Sequence, residues 1–423
     1  MLSTSKWLRN AFPDRVETLK LIGQAVVFKK NAASLNHVHQ FEGMVITAEP
    51  PRFEEFTKII EAASDSYHAN INNARAGQNL LDVFVALASA ANQWNDRRVD
   101  CTASLCVLSR EFDNEAHRTG AILALAPLFL RLQQNPASLG LTNDLLNMLD
   151  TLVSDRAKAE TYGKALYCLC HLTNPEQENQ LDRIFESIPN ANARLTAVQN
   201  TLEFTANAPD EPRKHIVLLT LTTVVKAELP AIDCPPGDDR DRYKATVVSE
   251  LSAQLPAWQG NVAFKLNYIV HLGEIIRQIA NDDDAAKAIT ALATAMSQLL
   301  EGDHAKIGSF PSLVSLVETL PASKLHTVMK PLASLLHDNA VAATHLNQIN
   351  HLVTTICANT TEGDMQLGMG NLMGLLAILN SRAAYEKAAE ALTDSRSTIT
   401  GPTRLSYIDS ALQGIASALP WSA

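Results

Sequence analysis

The residues best placed by type to do chemistry gather in one short run, Pro230–Arg242, which reads PAIDCPPGDDRDR. Cys234 follows Asp233 there, and Asp238, Asp239 and Asp241 come close behind. A loop thiol becomes a nucleophile when a base or a positive neighbour lowers its pKa. Carboxylates do the reverse, so catalysis here needs a distant histidine, such as His215 or His271, brought alongside. The aspartates could instead gather Ca²⁺, but their order does not follow the EF-hand ligand pattern. The composition better suits an exposed acidic loop. Asp233, Cys234, Asp238, Asp239 and Asp241 are then candidates for binding a basic partner.

Other reactive types are scattered. His37 and His39 form an H-x-H pair that would face one side of a strand, as metal ligands sometimes do, but no third ligand is evident beyond Glu42 and Asp65. Cys168, Cys170 and His171 read C-x-C-H. On a helix the two thiols lie about 200° apart and cannot share an ion. Cys101 and Cys106, five residues apart, are no better placed. With no C-x-x-C pair, neither a metal nor another cofactor is expected. The sequence has no phosphate-binding loop, dinucleotide fingerprint, serine elbow or H-E-x-x-H. Gly368–Met369–Gly370 lies in an apolar helical context, where glycine serves close packing. His271, His326 and His351 read as satisfied polar groups near a core.

These residues must be held by helices. Apolar residues make up 46% of the chain but aromatics only 5%, so Ala, Leu, Ile and Val supply the core. That choice favours helices over sheets. Phe53, Phe56, Ile59, Ile60 and Ala63 recur at helical spacing, as do Leu80, Leu81, Phe84, Val85 and Ala88. Ala121–Leu132 is apolar nearly all round. Further helices are expected near 143–153, 157–173, 177–187, 193–206 and 212–228. After the acidic run they are expected near 243–254, 258–280, 284–300, 310–319, 323–337, 341–358, 364–380, 383–393 and 403–418. Asn174–Pro175–Glu176 and Asn281–Asp282–Asp283–Asp284 carry cap residues followed by acids that oppose the helix dipole.

The expected fold is all-α: antiparallel helical hairpins stacked with irregular repeats. Its parts are an N-terminal segment (1–52), a first helical half (53–229), the acidic proline-rich loop (230–242) and a second half (243–423). Val16, Leu19, Ile22, Val26 and Val27 predict a helix over 14–30, ahead of a weakly alternating stretch that ends at Pro50–Pro51. Chain length leaves open two lobes or one array that adds core by stacking.

A short pattern recurs at the start of apolar helices: a basic residue, Leu, two residues, then Val or Ile. It appears at Arg194–Leu195, Lys265–Leu266, Lys324–Leu325, His345–Leu346 and Arg404–Leu405. The step from 265 to 324 equals that from 345 to 404, at 59 residues. A hydrophobe before proline also recurs, at Ile188–Pro189, Leu229–Pro230, Leu255–Pro256, Leu320–Pro321 and Leu419–Pro420. On these punctuations and the paired helices between them, residues 53–420 resemble α-solenoids of the HEAT and armadillo kind. They are more distantly similar to the helical repeats of bacterial type III secreted effectors, from which they depart in spacing. The resemblance implies a binding scaffold and no particular chemistry.

Charge and hydropathy narrow the partners. The net charge is −10, and no Lys/Arg run exceeds Lys29–Lys30 or Arg97–Arg98, which argues against nucleic acid. The longest apolar runs are about ten residues, as at Ala121–Leu130, against about 20 for a membrane span. The N-terminal residues lack the apolar stretch of a secretory signal. Five of the six cysteines lie in apolar helical stretches and are expected as free thiols in a reducing compartment. The chain is therefore expected to be soluble. It would be cytoplasmic, or delivered into a host cell without a cleaved signal. It would bind a protein partner; the alternative is an enzyme with a dispersed site around Cys234–Asp241.

Overall fold

Asparagine opens helix after helix. Asn114, Asn135, Asn174, Asn190, Asn261 and Asn281 each accept backbone N–H groups of the following turn, at 2.8 to 3.1 Å. A cap of this kind contributes about 1 kcal/mol. At Asn174 the exchange is reciprocal, because Gln177 accepts from the Asn174 N–H, and Pro175 fills the first helical position.

The computed structural model describes residues 53–72, 75–92, 97–206, 211–226, 238–258, 261–358 and 361–419. Among them are nineteen α-helices and no strand. The expected helix over 14–30, the His37/His39 pair and the residues around Cys234 lie outside the described residues. The chain divides into two units, Met1–Val217 and Leu218–Ala423.

The first unit holds eight complete helices in two layers. One layer is α2 (Ala76–Ala91), α4 (Glu115–Phe129), α6 (Asp155–Leu169) and α8 (Ala191–Ala206). The other is α1 (Phe53–Ala69), α3 (Arg98–Ser109), α5 (Pro136–Asp150) and α7 (Pro175–Glu186). Each helix packs on the next in its own layer, and α1 to α7 also pack on their chain neighbours in the other. Phe84, Phe129, Tyr162 and Phe185 fill the space between them and are fully buried. The approach of α6 to α8 is close enough to require glycine: a Cβ at Gly163 would lie 2.6 Å from the Thr201 backbone nitrogen. Helix α9 (Glu211–Lys226) carries the division between the units.

The second unit repeats the plan. One layer is α10 (Asp238–Ser252), α12 (Asp282–Ser297), α14 (Ala322–Leu336), α17 (Glu362–Leu379) and α19 (Pro402–Ala418). The other is α11 (Val262–Ile276), α13 (His304–Val317), the short α15 (Asn339–His345) with α16 (Gln348–Ala358), and α18 (Arg382–Arg396). A 3₁₀ turn at Leu255–Ala257 links α10 to α11. Packing again runs from each helix to the next in its layer.

The regular period lies in the caps. Asn281, Pro321, Thr361 and Gly401 stand immediately before α12, α14, α17 and α19, each forty residues after the last. About 40 residues carrying two or three helices is the size of a HEAT-type repeat, and the fold is an all-α solenoid of that kind. The 59-residue step in the sequence is not that period. It joins α11 to α14 and α15 to α19, which belong to different layers.

Several boundaries differ from expectation. Helix α5 begins at Pro136, ahead of the expected 143, because Asn135 caps it. Helix α13 begins at His304, ahead of the expected 310, because Asp303 caps it. The expected helix over 341–358 is broken between His345 and Gln348 into α15 and α16. Helix α10 begins at Asp238, inside the stretch whose composition reads as loop. Asp238, Asp239 and Asp241 fall in its first turn.

Candidate functional site

The acidic run separates into three parts. Asp233 and Cys234 lie outside the described residues. Asp238 and Asp239 are in the first turn of α10. Asp241 is buried, and its Oδ2 accepts the N–H groups of Ala280 at 3.0 Å and Asn281 at 2.7 Å. The carboxylate thus ties α10 to the start of α12.

The described cysteines are all free and buried. Burial pushes the thiols of Cys101, Cys106 and Cys168 up to about 12, and raises Cys357. A thiol so placed is not a thiolate near neutral pH. His171 Nε2 lies 3.2 Å from the Leu132 carbonyl. Among the described residues no group of three His, Cys, Asp or Glu side chains could hold a metal ion. His326 and His351 are exposed, not near the core as their neighbours predict.

His271 belongs to a polar cluster. Lys226 Nζ, at the end of α9, reaches Glu274 Oε2 at 2.7 Å and His271 Nδ1 at 2.9 Å, both on α11. The Lys226 hydrogen bond leads in holding the Glu274 carboxyl below its usual range, against a smaller upward push from burial. An ion-paired lysine is not the free amine that Schiff-base chemistry needs. The cluster fastens α9 to α11.

The basic-Leu pattern has a structural meaning. Arg194 donates to the Glu186 and Ile188 carbonyls at 2.7 and 2.5 Å, at the end of α7. Arg404 donates to the Cys357 carbonyl near the end of α16, and His345 Nε2 meets the Ile307 carbonyl. Lys265 and Lys324 instead pair with the capping and first-turn carboxylates Asp303 and Asp283. In every case the basic residue satisfies or neutralises groups on another helix. A second buried pair, Lys306–Asp338 at 2.7 Å, continues the series.

The feature that sequence reasoning missed is the outer face of α17. Leu367 and Ile378 are eleven residues apart, so they share one side of the helix. They are 53% and 44% exposed. Gly363, Gly370 and Gly374 share that side, and nothing comes within 4 Å of a Cβ built on any of them. Gly368 differs, because a Cβ there would meet Ile356 of α16 at 2.8 Å. Close packing therefore explains Gly368 but not Gly370. The exposed faces of α12 and α14 in the same layer are tied by Lys324–Asp283 and by Thr290 donating to the Thr327 carbonyl.

No family model matches the chain, and no curated protein matches it. Solved structures do. The karyopherin Kap121p bound to the SUMO protease Ulp1p is 14% identical over 98% of this chain and 46% of that one, with a TM-score of 0.37. Kap121p bound to Nup53p is 13% identical over 99% and 49%, at 0.35. The chain thus spans about half the length of those karyopherins. A designed self-assembling cyclic homooligomer is 11% identical over 81% and 95%, at 0.14. The assignment of the fold rests on the chain's own helix packing. No helix among the described residues is long and apolar enough to cross a membrane.

Proposed function

We propose that the chain is a helical-repeat scaffold that binds a protein partner, and that the outer face of α17 is part of the contact surface. One observation carries this reading: α17 presents Leu367 and Ile378 to solvent between glycines that no described residue approaches. Glycine inside a helix costs roughly 1 kcal/mol against alanine. Three on one exposed face are a local disadvantage that closer approach of a partner's backbone would offset. The two karyopherin structures were solved with proteins bound. An effector role, in which the partner belongs to a host cell, draws its support from the Leu-Pro punctuation of the sequence. The alternative of an enzyme centred on Cys234–Asp241 draws its support from the composition of that run; the capping role of Asp241 weighs against it.

The test places a photo-crosslinking amino acid at Leu367 and, as a control, at the exposed Val107 on α3 of the other unit. Both proteins are irradiated in lysate of the source cells and of a candidate host. The proposal expects a protein adduct at Leu367 that is absent at Val107 and is lost on adding Ile378→Asp. Adducts that are equal at both positions, or untouched by Ile378→Asp, overturn it. A partner found in the host lysate alone supports the effector role, and one found in the source cells opposes it.

A further inference from the structure

Where the connection from α10 to α11 meets the connection from α12 to α13, the second unit encloses a cleft of about 530 Å³. Such a volume is ordinary for a site that takes a small ligand or a few residues of peptide. Pro256, Trp258, Val262 and Leu300 supply apolar wall, and Lys265 and Asp303 also line it. Trp258 is rigidly set, with its ring centroid 4.7 Å from those of both Phe264 and Tyr268. Leu300 is different: it projects at the mouth, 78% exposed.

The polar group in this cleft is unusual. The Lys265 side chain is 6% exposed and its ammonium lies 2.6 Å from Asp303 Oδ2. An ammonium has three N–H donors. Among the described residues Asp303 is the one acceptor it meets, so two donors remain for an incoming group. Asp303 already balances the Lys265 charge, so a neutral carbonyl oxygen can take a remaining donor without a second anion beside Asp303. Apolar wall beside a neutral-acceptor position fits a peptide: a side chain goes to Trp258 and Leu300, and the adjoining backbone carbonyl to Lys265.

We infer that this cleft binds an extended peptide segment through an apolar side chain and the neighbouring backbone carbonyl. This is a second contact, apart from α17, and it extends the protein-binding reading to a named ligand chemistry.

A phage-displayed library of random linear peptides is selected on the full chain. Enriched peptides are then synthesised and titrated against the wild type, Leu300→Ala, Leu300→Glu and the α17 variant Leu367→Asp. Leu300 is exposed, so its variants keep the fold. The inference expects peptides sharing an apolar anchor. They should weaken by about tenfold or more on Leu300→Glu and less on Leu300→Ala, the range that apolar pocket contacts command. They should be indifferent to Leu367→Asp, and should shift the Val262 and Leu299 methyl resonances. Peptides that bind Leu300→Glu as well as wild type overturn the cleft, as does a selection that enriches nothing. Neither outcome touches the α17 proposal, which fails only in its own crosslinking test.

Discussion

Single carboxylates in this protein are tuned in opposite directions, and each direction has a consequence. Asp338 is buried, accepts from Gly302 N–H at 3.0 Å, caps α15 and pairs with Lys306. Burial pushes its carboxyl up, but the Lys306 and backbone hydrogen bonds together hold it below the usual carboxylate value. A depressed folded value contributes stability above the ordinary value, and that stability is lost as the pH falls through the folded one. Asp338→Asn keeps a capping oxygen but strands the Lys306 charge, so it should cost about 3–5 kcal/mol in urea unfolding at neutral pH. Removing the stranded charge as well, Lys306→Met with Asp338→Asn, should recover much of that, because the asparagine oxygen still caps α15; a double variant as unstable as the single one would refute the charge argument. Asp182 is the reverse case. Burial, then Glu186 and Glu178, pushes it up to about 6, and among the described residues its Oδ1 meets no hydrogen-bond partner. A raised folded value means stability present at low pH and lost as the pH climbs from the ordinary carboxylate value through about 6. Asp182→Asn should therefore stabilise the protein by about 1–2 kcal/mol at pH 7 and by nothing in acid. Thermal melts across that range check the sign.

Among the helices, glycine separates packing from exposure. Gly163→Ala drives a Cβ into the Thr201 backbone, and overpacking of this kind costs about 1–3 kcal/mol. Gly370→Ala and Gly374→Ala meet open space and should each add about 0.4–1 kcal/mol, while weakening the crosslink at Leu367 if the α17 face is a contact. Denaturant midpoints for the three variants settle the first part. Much of this level was legible in the sequence. Asn174–Pro175 and Asn281 marked helix starts because capping is local, and the apolar spacing marked most helices. The purpose of the basic-Leu pattern was not legible, since the target of Arg404 is a carbonyl on Cys357, 47 residues away. Asp241 was misleading for the same reason: its role depends on N–H groups of Ala280 and Asn281, about one repeat further on. The exposed side of α17 was hidden because an apolar run reads the same whether or not a partner helix covers it. The break between α15 and α16 left no proline or glycine to announce it.

For the molecule as a whole, the question is where one stable unit ends and the next begins. Composition places the division in the acidic proline-rich run at 230–242, whereas compactness places it at Val217/Leu218, within α9. The two placements make different demands on Leu218, Leu221, Val224 and Val225, which follow the compactness boundary and are all buried. Lys226 belongs with them, because its ammonium pairs with Glu274 of α11. If these residues are integral to the second unit, a fragment beginning at Asp238 lacks four buried side chains and an ion pair, and also leaves part of its own core uncovered. Each fully buried aliphatic side chain of this size contributes about 1.5–3 kcal/mol of transfer free energy. In a stacked array, moreover, an end helix contributes its interface with its neighbour as well as its own stability. A fragment spanning 211–423 should then unfold cooperatively at a clearly higher urea midpoint than one spanning 238–423. Lys226→Met in the longer fragment should close only a small part of that gap, since the pair is partly exposed. Equal midpoints for the two fragments would instead put the boundary in the acidic run, and would make α9 a connector between the units.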